Sequence, residues 1–190
     1  MLELKNICFS YGEQKLLEHF NLTVKNGQCI CLKGRSGCGK STVLRLILGL
    51  ETLQSGEITG AENPTVVFQE DRLVPNLTLK KNVMLPLKKE RYNYALSLIE
   101  NANLGEAINK KASLLSGGMK RRAAIVRALS FGGELLILDE PFNGIDRENR
   151  LIIADMIKQE FLNKGKPVLM VSHIDEDADI LNAETVEMNT

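Results

Sequence analysis

Eight residues, Gly34-Arg35-Ser36-Gly37-Cys38-Gly39-Lys40-Ser41, constrain this chain more than any other feature. They fit Gly-x-x-x-x-Gly-Lys-Ser without a mismatch, a loop whose backbone N–H groups wrap a phosphate. Glycine has no Cβ and takes up backbone angles that other residues avoid, so successive N–H groups can point inward. Lys40 adds a positive charge for the terminal phosphates, and the Ser41 hydroxyl is placed for Mg²⁺. The flanks agree with this reading. Cys29-Ile30-Cys31-Leu32 reads as a buried strand, and residues 41–50 read as a helix with Val43, Leu44, Leu46, Ile47 and Leu48 on its apolar side. Strand, glycine loop and helix N-terminus in that order form an anion site.

The chain has 190 residues, enough for one domain with a real core or one domain carrying a small insert. Lys+Arg and Asp+Glu number 24 each, so no net charge supports a DNA or RNA partner. No apolar run approaches the roughly 18–20 residues that span a bilayer. Met1-Leu2-Glu3-Leu4-Lys5 lacks a signal-peptide pattern, so the expected place is the cytosol, with any membrane role exercised through a partner. The cysteines are Cys8, Cys29, Cys31 and Cys38, without a Cys-x-x-Cys pair, and the histidines are His19 and His173. Zinc is therefore not expected. Cys29 and Cys31 alternate on one strand face as small core residues.

Along the chain, Leu2-Glu3-Leu4 and Ile7-Cys8-Phe9 suggest early strands, with a turn at Tyr11-Gly12-Glu13. Phe20-Asn21-Leu22-Thr23-Val24 alternates as a half-buried strand does. Asn26-Gly27 predicts a hairpin joining it to the Cys29 strand. Val66-Val67-Phe68 is another short strand, ending at Gln69-Glu70. Residues 71–115 change character. They hold Pro75, Pro86 and the pairs Lys80-Lys81 and Lys88-Lys89, read as a solvated face. Tyr94, Leu98, Ile99 and Ala102 recur there at helical spacing, which predicts a helical insert between two halves of a sheet. Beyond it, Leu135-Leu136-Ile137-Leu138 and Val168-Leu169-Met170-Val171 are apolar throughout, as parallel strands covered on both faces are. Ile153, Met156, Ile157 and Phe161 mark one helix face, with Gly165 as its expected stop.

Asp139 and Glu140 follow the Leu135 strand directly. Ligands of open parallel sheets bind beyond the carboxyl ends of the strands, so this pair faces the same rim as the phosphate loop. Asp139 is the candidate for Mg²⁺, and Glu140 for orienting or deprotonating the attacking water. Leu115-Ser116-Gly117-Gly118-Met119 opens a long helical pattern, putting Ser116, Gly117 and Gly118 at a helix N-terminus. Ser116 also reads as an ordinary N-cap. A second phosphate device in one small chain points to use by a second copy or a related subunit.

Taken in order, these landmarks resemble the ATP-binding subunits of ATP-binding-cassette (ABC) transporters. The phosphate loop, the Q-loop glutamine Gln69, the signature at Leu115-Ser116-Gly117-Gly118-Met119, the acidic strand end Asp139-Glu140 and the switch histidine His173 occur in that family's sequence, over nearly the whole chain. Asn143-Gly144-Ile145-Asp146 occupies the D-loop place, and Tyr11 the place of an aromatic residue stacked on adenine. The resemblance implies an α/β P-loop NTPase with a mostly parallel central sheet, an N-terminal antiparallel β subdomain and a helical insert. The whole of residues 1–190 is then one cassette. It implies ATP and Mg²⁺, with ATP held by Gly34, Arg35, Ser36, Gly37, Cys38, Gly39, Lys40, Ser41 and Thr42, and Mg²⁺ by Ser41, Gln69 and Asp139. Glu140, His173, Lys40 and Gln69 are the implied catalytic set.

Two cassettes, alike or related, close head-to-tail in that family, so that Ser116-Gly117-Gly118 of one caps the γ-phosphate held by the other. The implied partners are transmembrane permease subunits and a solute-binding protein, with no nucleic acid, and the implied location is the cytoplasmic face of the membrane. Residues 68–78, followed by Asn82-Val83, look like importer ATPases of the nitrate, sulfonate and taurine group. Residues 51–65 and the helical insert are shorter than the family usually has, and the chain stops soon after His173, without room for a regulatory domain. Met119 and Gly144-Ile145 depart from the commoner Gln and Ala-Leu. An exporter cassette shares the same chemistry. A nucleic-acid or translation factor built on this cassette usually brings a coiled-coil insert or a second cassette, and neither occurs. An inactive module is at odds with the presence of Lys40, Asp139, Glu140 and His173.

Overall fold

The computed structural model describes residues 1–188. A hairpin of β1 (Leu2–Tyr11) and β2 (Gln14–Val24) leads to β3 (Cys29–Lys33), the phosphate loop and α1 (Lys40–Ile47). Strands β4 (Ser55–Thr59) and β5 (Pro64–Val67) follow, then α2 (Leu79–Met84), α3 (Tyr92–Asn101) and α4 (Gly117–Phe131). The chain continues through β6 (Leu135–Asp139), α5 (Arg147–Glu160), β7 (Val168–Val171), α6 (Asp175–Leu181) and β8 (Glu184–Glu187).

Two sheets result. One is antiparallel, in the order β2-β1-β4, and the other is parallel throughout, in the order β5-β6-β7-β3-β8. The continuous apolar runs have their explanation in the parallel sheet. Cys29, Cys31, Leu136, Leu138, Val168 and Met170 face a core shared with α2 to α6. Ile30, Leu32, Leu135, Ile137, Leu169 and Val171 face a second core shared with α1 and the antiparallel sheet. Alternate residues of each strand thus enter different cores, which requires both faces to be apolar.

Three local readings of the sequence are corrected. Asn26-Gly27 does not close a hairpin. Strand β2 pairs with β1, whereas β3 pairs with β7 and β8, so the turn carries the chain from one sheet to the other. All of β3 up to Leu32 is buried, and a strand so enclosed needs neighbours on both sides rather than one hairpin partner. Gly165 does not end α5 either. The helix stops at Glu160, a short 3₁₀ turn covers Leu162–Lys164, and Gly165 closes that turn at φ 71°. The two early strands are one bulged strand, interrupted by Asn6 at φ 52°. Strand β4 carries no apolar alternation. Its five residues are mostly exposed and owe their conformation to pairing with β1.

Residues 71–115 contain α2, α3 and three short 3₁₀ turns, and both helices pack on α4. Leu79, Val83, Ala95, Leu98 and Ile99 are the buried contacts. Fully buried Asn82 ties down the preceding loop. Its amide oxygen accepts from Val74 N at 2.7 Å, and its Nδ2 donates to the carbonyls of Val74, Leu77 and Thr78.

Candidate nucleotide site

Parallel pairing decides where the site lies. Strands β5, β6, β7 and β3 are consecutive neighbours, so their carboxyl ends form one rim. Gln69 follows β5, Asp139 ends β6 with Glu140 after it, His173 follows β7, and Gly34 follows β3. A cleft of about 610 Å³ opens there, lined by Tyr11, Leu16, Gly34, Ser36, Gly37, Gly39, Lys40, Ser41, Thr42, Gln69, Asp139, Glu140, Val171 and His173. Segments far apart in the sequence are thereby brought together. Arg35 is exposed and Cys38 buried beneath the loop; neither lines the cleft. Leu16 and Val171 were not legible as wall residues, because an apolar residue at a strand end carries no signal of its own.

The loop has the backbone that its glycines allow. Gly34, Gly37 and Gly39 have φ of 143°, 84° and 99°, all costly for other residues. A Cβ at Gly34 would also sit 2.7 Å from Cys38 Sγ and 2.8 Å from the Met188 carbonyl. Lys40 Nζ donates to the carbonyls of Gly34 (2.7 Å) and Arg35 (2.9 Å), so its ammonium sits inside the loop.

Glu140 has φ 50°, a left-handed conformation that costs a non-glycine residue about 1–2 kcal/mol. It is held there by its neighbours. Its N–H donates to the Val171 carbonyl at 2.9 Å, and its own carbonyl accepts from Arg121 at 2.8 Å. The turn aims the carboxylate at His173, whose Nδ1 lies 2.9 Å from Glu140 Oε1. The other oxygen, Oε2, is buried without a partner. A buried carboxylate oxygen is costly to leave unpaired.

The electrostatics follow from these contacts. Burial, with Glu140 next to it, raises the Asp139 pKa, against the opposing charges of Arg121 and Lys40. The Glu140 hydrogen bond raises His173 above its usual 6.5, with Asp177 adding and Lys40 opposing. The pair therefore stabilises the fold fully below the unfolded pKa, and the contribution is lost as pH rises through the higher folded value. An NMR titration of His173 is expected to give a midpoint above 6.5 in the native chain and a lower one in Glu140→Gln. An unchanged midpoint in the variant would refute the pairing.

Ser116, Gly117 and Gly118 do not line this cleft. Ser116 is the N-cap of α4, accepting from Met119 N at 3.3 Å, as the plainer reading of the sequence held. Its turn is exposed and leads from the buried Leu115. The two glycines differ. A Cβ on Gly117 would meet nothing within 4 Å, whereas one on Gly118 would lie 2.7 Å from the Gly144 carbonyl of the D-loop segment. Gly118 serves a close approach within the chain. Gly117 leaves space free above the helix N-terminus.

Tyr11 is 48% exposed at the cleft edge, its ring edge-on to Phe9 and its hydroxyl donating to Glu51 at 3.1 Å. Sequence reasoning passed over Arg121, which is 3% exposed and lies behind the rim. The available signal was a pair of arginines, Arg121-Arg122, directly before the apolar run Ala123-Ala124-Ile125-Val126 of α4.

This sheet, cleft and loop define a P-loop nucleotide-binding cassette. A family model described as "ABC transporter" matches residues 17–143. The aliphatic sulfonates import ATP-binding protein SsuB 1 of Shouchella clausii is 38% identical over 178 residues, covering 92% of this chain and 72% of that protein. SsuB of Albidiferax ferrireducens is 36% identical over 185 residues, covering 93% of this chain and 66% of its own length. Among solved structures, an ATP-binding subunit of an ABC transporter superposes with TM-score 0.89 at 26% identity, covering 100% of this chain and 86% of its own. A dimeric ATP-binding cassette in a post-hydrolysis state, bound to ADP and Pi, superposes with TM-score 0.86 at 28% identity, covering 100% of this chain and 94% of its own. The chain belongs to the ABC transporter family, as one of its ATP-hydrolysing cassettes.

Proposed function

We propose that this cassette hydrolyses MgATP at a site completed by a second cassette, and so powers a membrane importer of a small solute. The observation that carries the reading is the single rim of four strand ends, which gathers the phosphate loop, Gln69, Asp139-Glu140 and His173 around one cleft.

In this reading residues 34–42 hold the phosphates, with Lys40 leaving the loop carbonyls for the terminal phosphate oxygens. Tyr11 and Leu16 cover the base and ribose end. The residues present fit Mg²⁺: Ser41, Gln69 and Asp139 offer hard oxygen donors on the cleft wall, the donor chemistry that ion takes. When bound, Mg²⁺ offsets negative charge on the phosphate chain. Glu140 Oε2 orients the attacking water and takes its proton, and His173 steadies the carboxylate through Oε1. Positioning and electrostatics supply the acceleration, as in phosphoryl transfer generally. Ser116, Gly117 and Gly118 reach the phosphate of a partner copy, since they lie outside their own cleft.

The region from 71 to 115 is read as a helical insert of one cassette spanning 1–190, and as the face offered to the permease. The named relatives carry aliphatic sulfonates in their names, so a small sulfonate is the solute proposed, delivered by a solute-binding protein. Among the described residues no helix is long and apolar enough to cross a membrane, in accord with attachment through the permease at its cytoplasmic face. The test is uptake into proteoliposomes holding the cassette, its permease and a binding protein. ATP-dependent accumulation of an alkanesulfonate is expected. ATP hydrolysis without solute accumulation would remove the solute assignment and leave the ATPase.

A further inference from the structure

Arg121 makes a set of contacts that no other side chain matches among the described residues. Its guanidinium carries five N–H donors in a rigid plane. The Nε donates to the Pro141 carbonyl at 3.0 Å. One terminal nitrogen serves the carbonyls of Phe68 (2.5 Å) and Gln69 (3.3 Å) and the Asp71 carboxylate (3.3 Å). The other serves the carbonyls of Asp139 (2.5 Å) and Glu140 (2.8 Å). Every donor is used, and the acceptors come from two segments more than fifty residues away from each other in sequence, one after β5 and one after β6.

These two segments carry Gln69, Asp139 and Glu140. Strand pairing between β5 and β6 ends at Val67 and Leu138, before any of those residues. Beyond that point no ladder bonds fix one segment against the other, and Arg121 replaces them. It also grips the carbonyl of Glu140, the one non-glycine residue of the cleft wall with a left-handed backbone. A strained conformation persists only where its surroundings over-determine it. Arg121 lies five positions after Ser116, about one and a half turns along α4. The turn exposed for a partner and the clamp on the carboxylate thus belong to one rigid helix.

We infer that Arg121 is a positioning residue. It holds Glu140 in the orientation that sets Oε1 on His173, and it joins the Gln69 segment, the Asp139-Glu140 turn and the Ser116 helix into one body. Lysine cannot replace it, because an ammonium has no planar fork to span both segments. The inference rests on the ATPase reading above for its kinetic arm and is independent of it for its spectroscopic arm.

The experiment compares Arg121→Lys, Arg121→Gln and Arg121→Met by melting, ATP affinity, turnover and the NMR titration of His173. None of the hydrogen bonds of Arg121 goes to the glycine loop, so Kd for ATP should stay within about threefold. Turnover should fall about 10²-fold, the scale of a misplacement near 1 Å. In a Glu140→Gln background the same substitutions should cost less than about threefold more, because residues acting as one unit are not additive. The His173 midpoint should drop toward 6.5 in Arg121→Lys as the Glu140 carboxylate loses its aim. If Arg121→Met does not fold, the Lys and Gln variants carry the comparison. Native-like turnover in a folded variant, a full additional loss on top of Glu140→Gln, or an unmoved His173 midpoint would each overturn the inference. A native chain that hydrolyses no ATP would instead strike the functional reading, and the His173 arm would still decide the role of Arg121.

Discussion

Replacing Glu140 by Gln is expected to lower ATP turnover by about 10²–10⁴-fold, the usual worth of a positioned general base, with ATP affinity retained. The substitution keeps the volume of the side chain and the backbone turn. Gln tolerates φ 50° no worse than Glu, and the bonds from Arg121 and to Val171 involve only the main-chain atoms of Glu140. What disappears is the carboxylate charge shared by Oε1 and the buried, unpartnered Oε2. Steady-state phosphate release and equilibrium binding of a fluorescent ATP analogue separate the two effects. Turnover within threefold of native would show that some other group takes the proton.

Lys40→Ala is expected to weaken ATP binding by about 10²-fold, from the roughly 1.5–3 kcal/mol that a hydrogen bond to a charged group contributes. Lys40 is the sole lysine or arginine on the cleft wall among the described residues. Its bonds to the Gly34 and Arg35 carbonyls also hold the loop in shape before nucleotide arrives. Alanine is the best helix former, so α1 should survive the change, and a thermal melt checks this. Isothermal titration with ATP gives the affinity directly. An unchanged Kd would remove Lys40 from the phosphate site.

The sequence carried the rim of the site well and its support poorly, for a physical reason. Strands β6 and β7 are buried on both faces, so each is an unbroken apolar run whose end can be located to the residue. Asp139-Glu140 and His173 then take their places by position alone. Strand β4 was invisible because Ser55-Gly56-Glu57-Ile58-Thr59 buries little and is made a strand by β1. The Asn26-Gly27 turn was correctly a turn and wrongly a hairpin, since local turn chemistry says nothing about which sheet the next strand joins. Arg121 was hidden for a third reason. Its partners are main-chain carbonyls, which have no letter in the sequence, and they come together only when β5 and β6 pair.

The proposed mechanism requires the exposed Ser116-Gly117-Gly118 turn to complete the ATP site of another copy. Gly117→Asp is the clean probe. The position has open space around it, an acidic residue suits a helix N-terminus, and nothing in the folded chain opposes it. Sedimentation velocity on Glu140→Gln, with and without MgATP, is the decisive measurement. A monomer without nucleotide, a dimer with it, and a monomer again once Gly117→Asp is added is the predicted pattern. A chain that stays monomeric at saturating ATP, or a dimer indifferent to both ATP and Gly117→Asp, would contradict it.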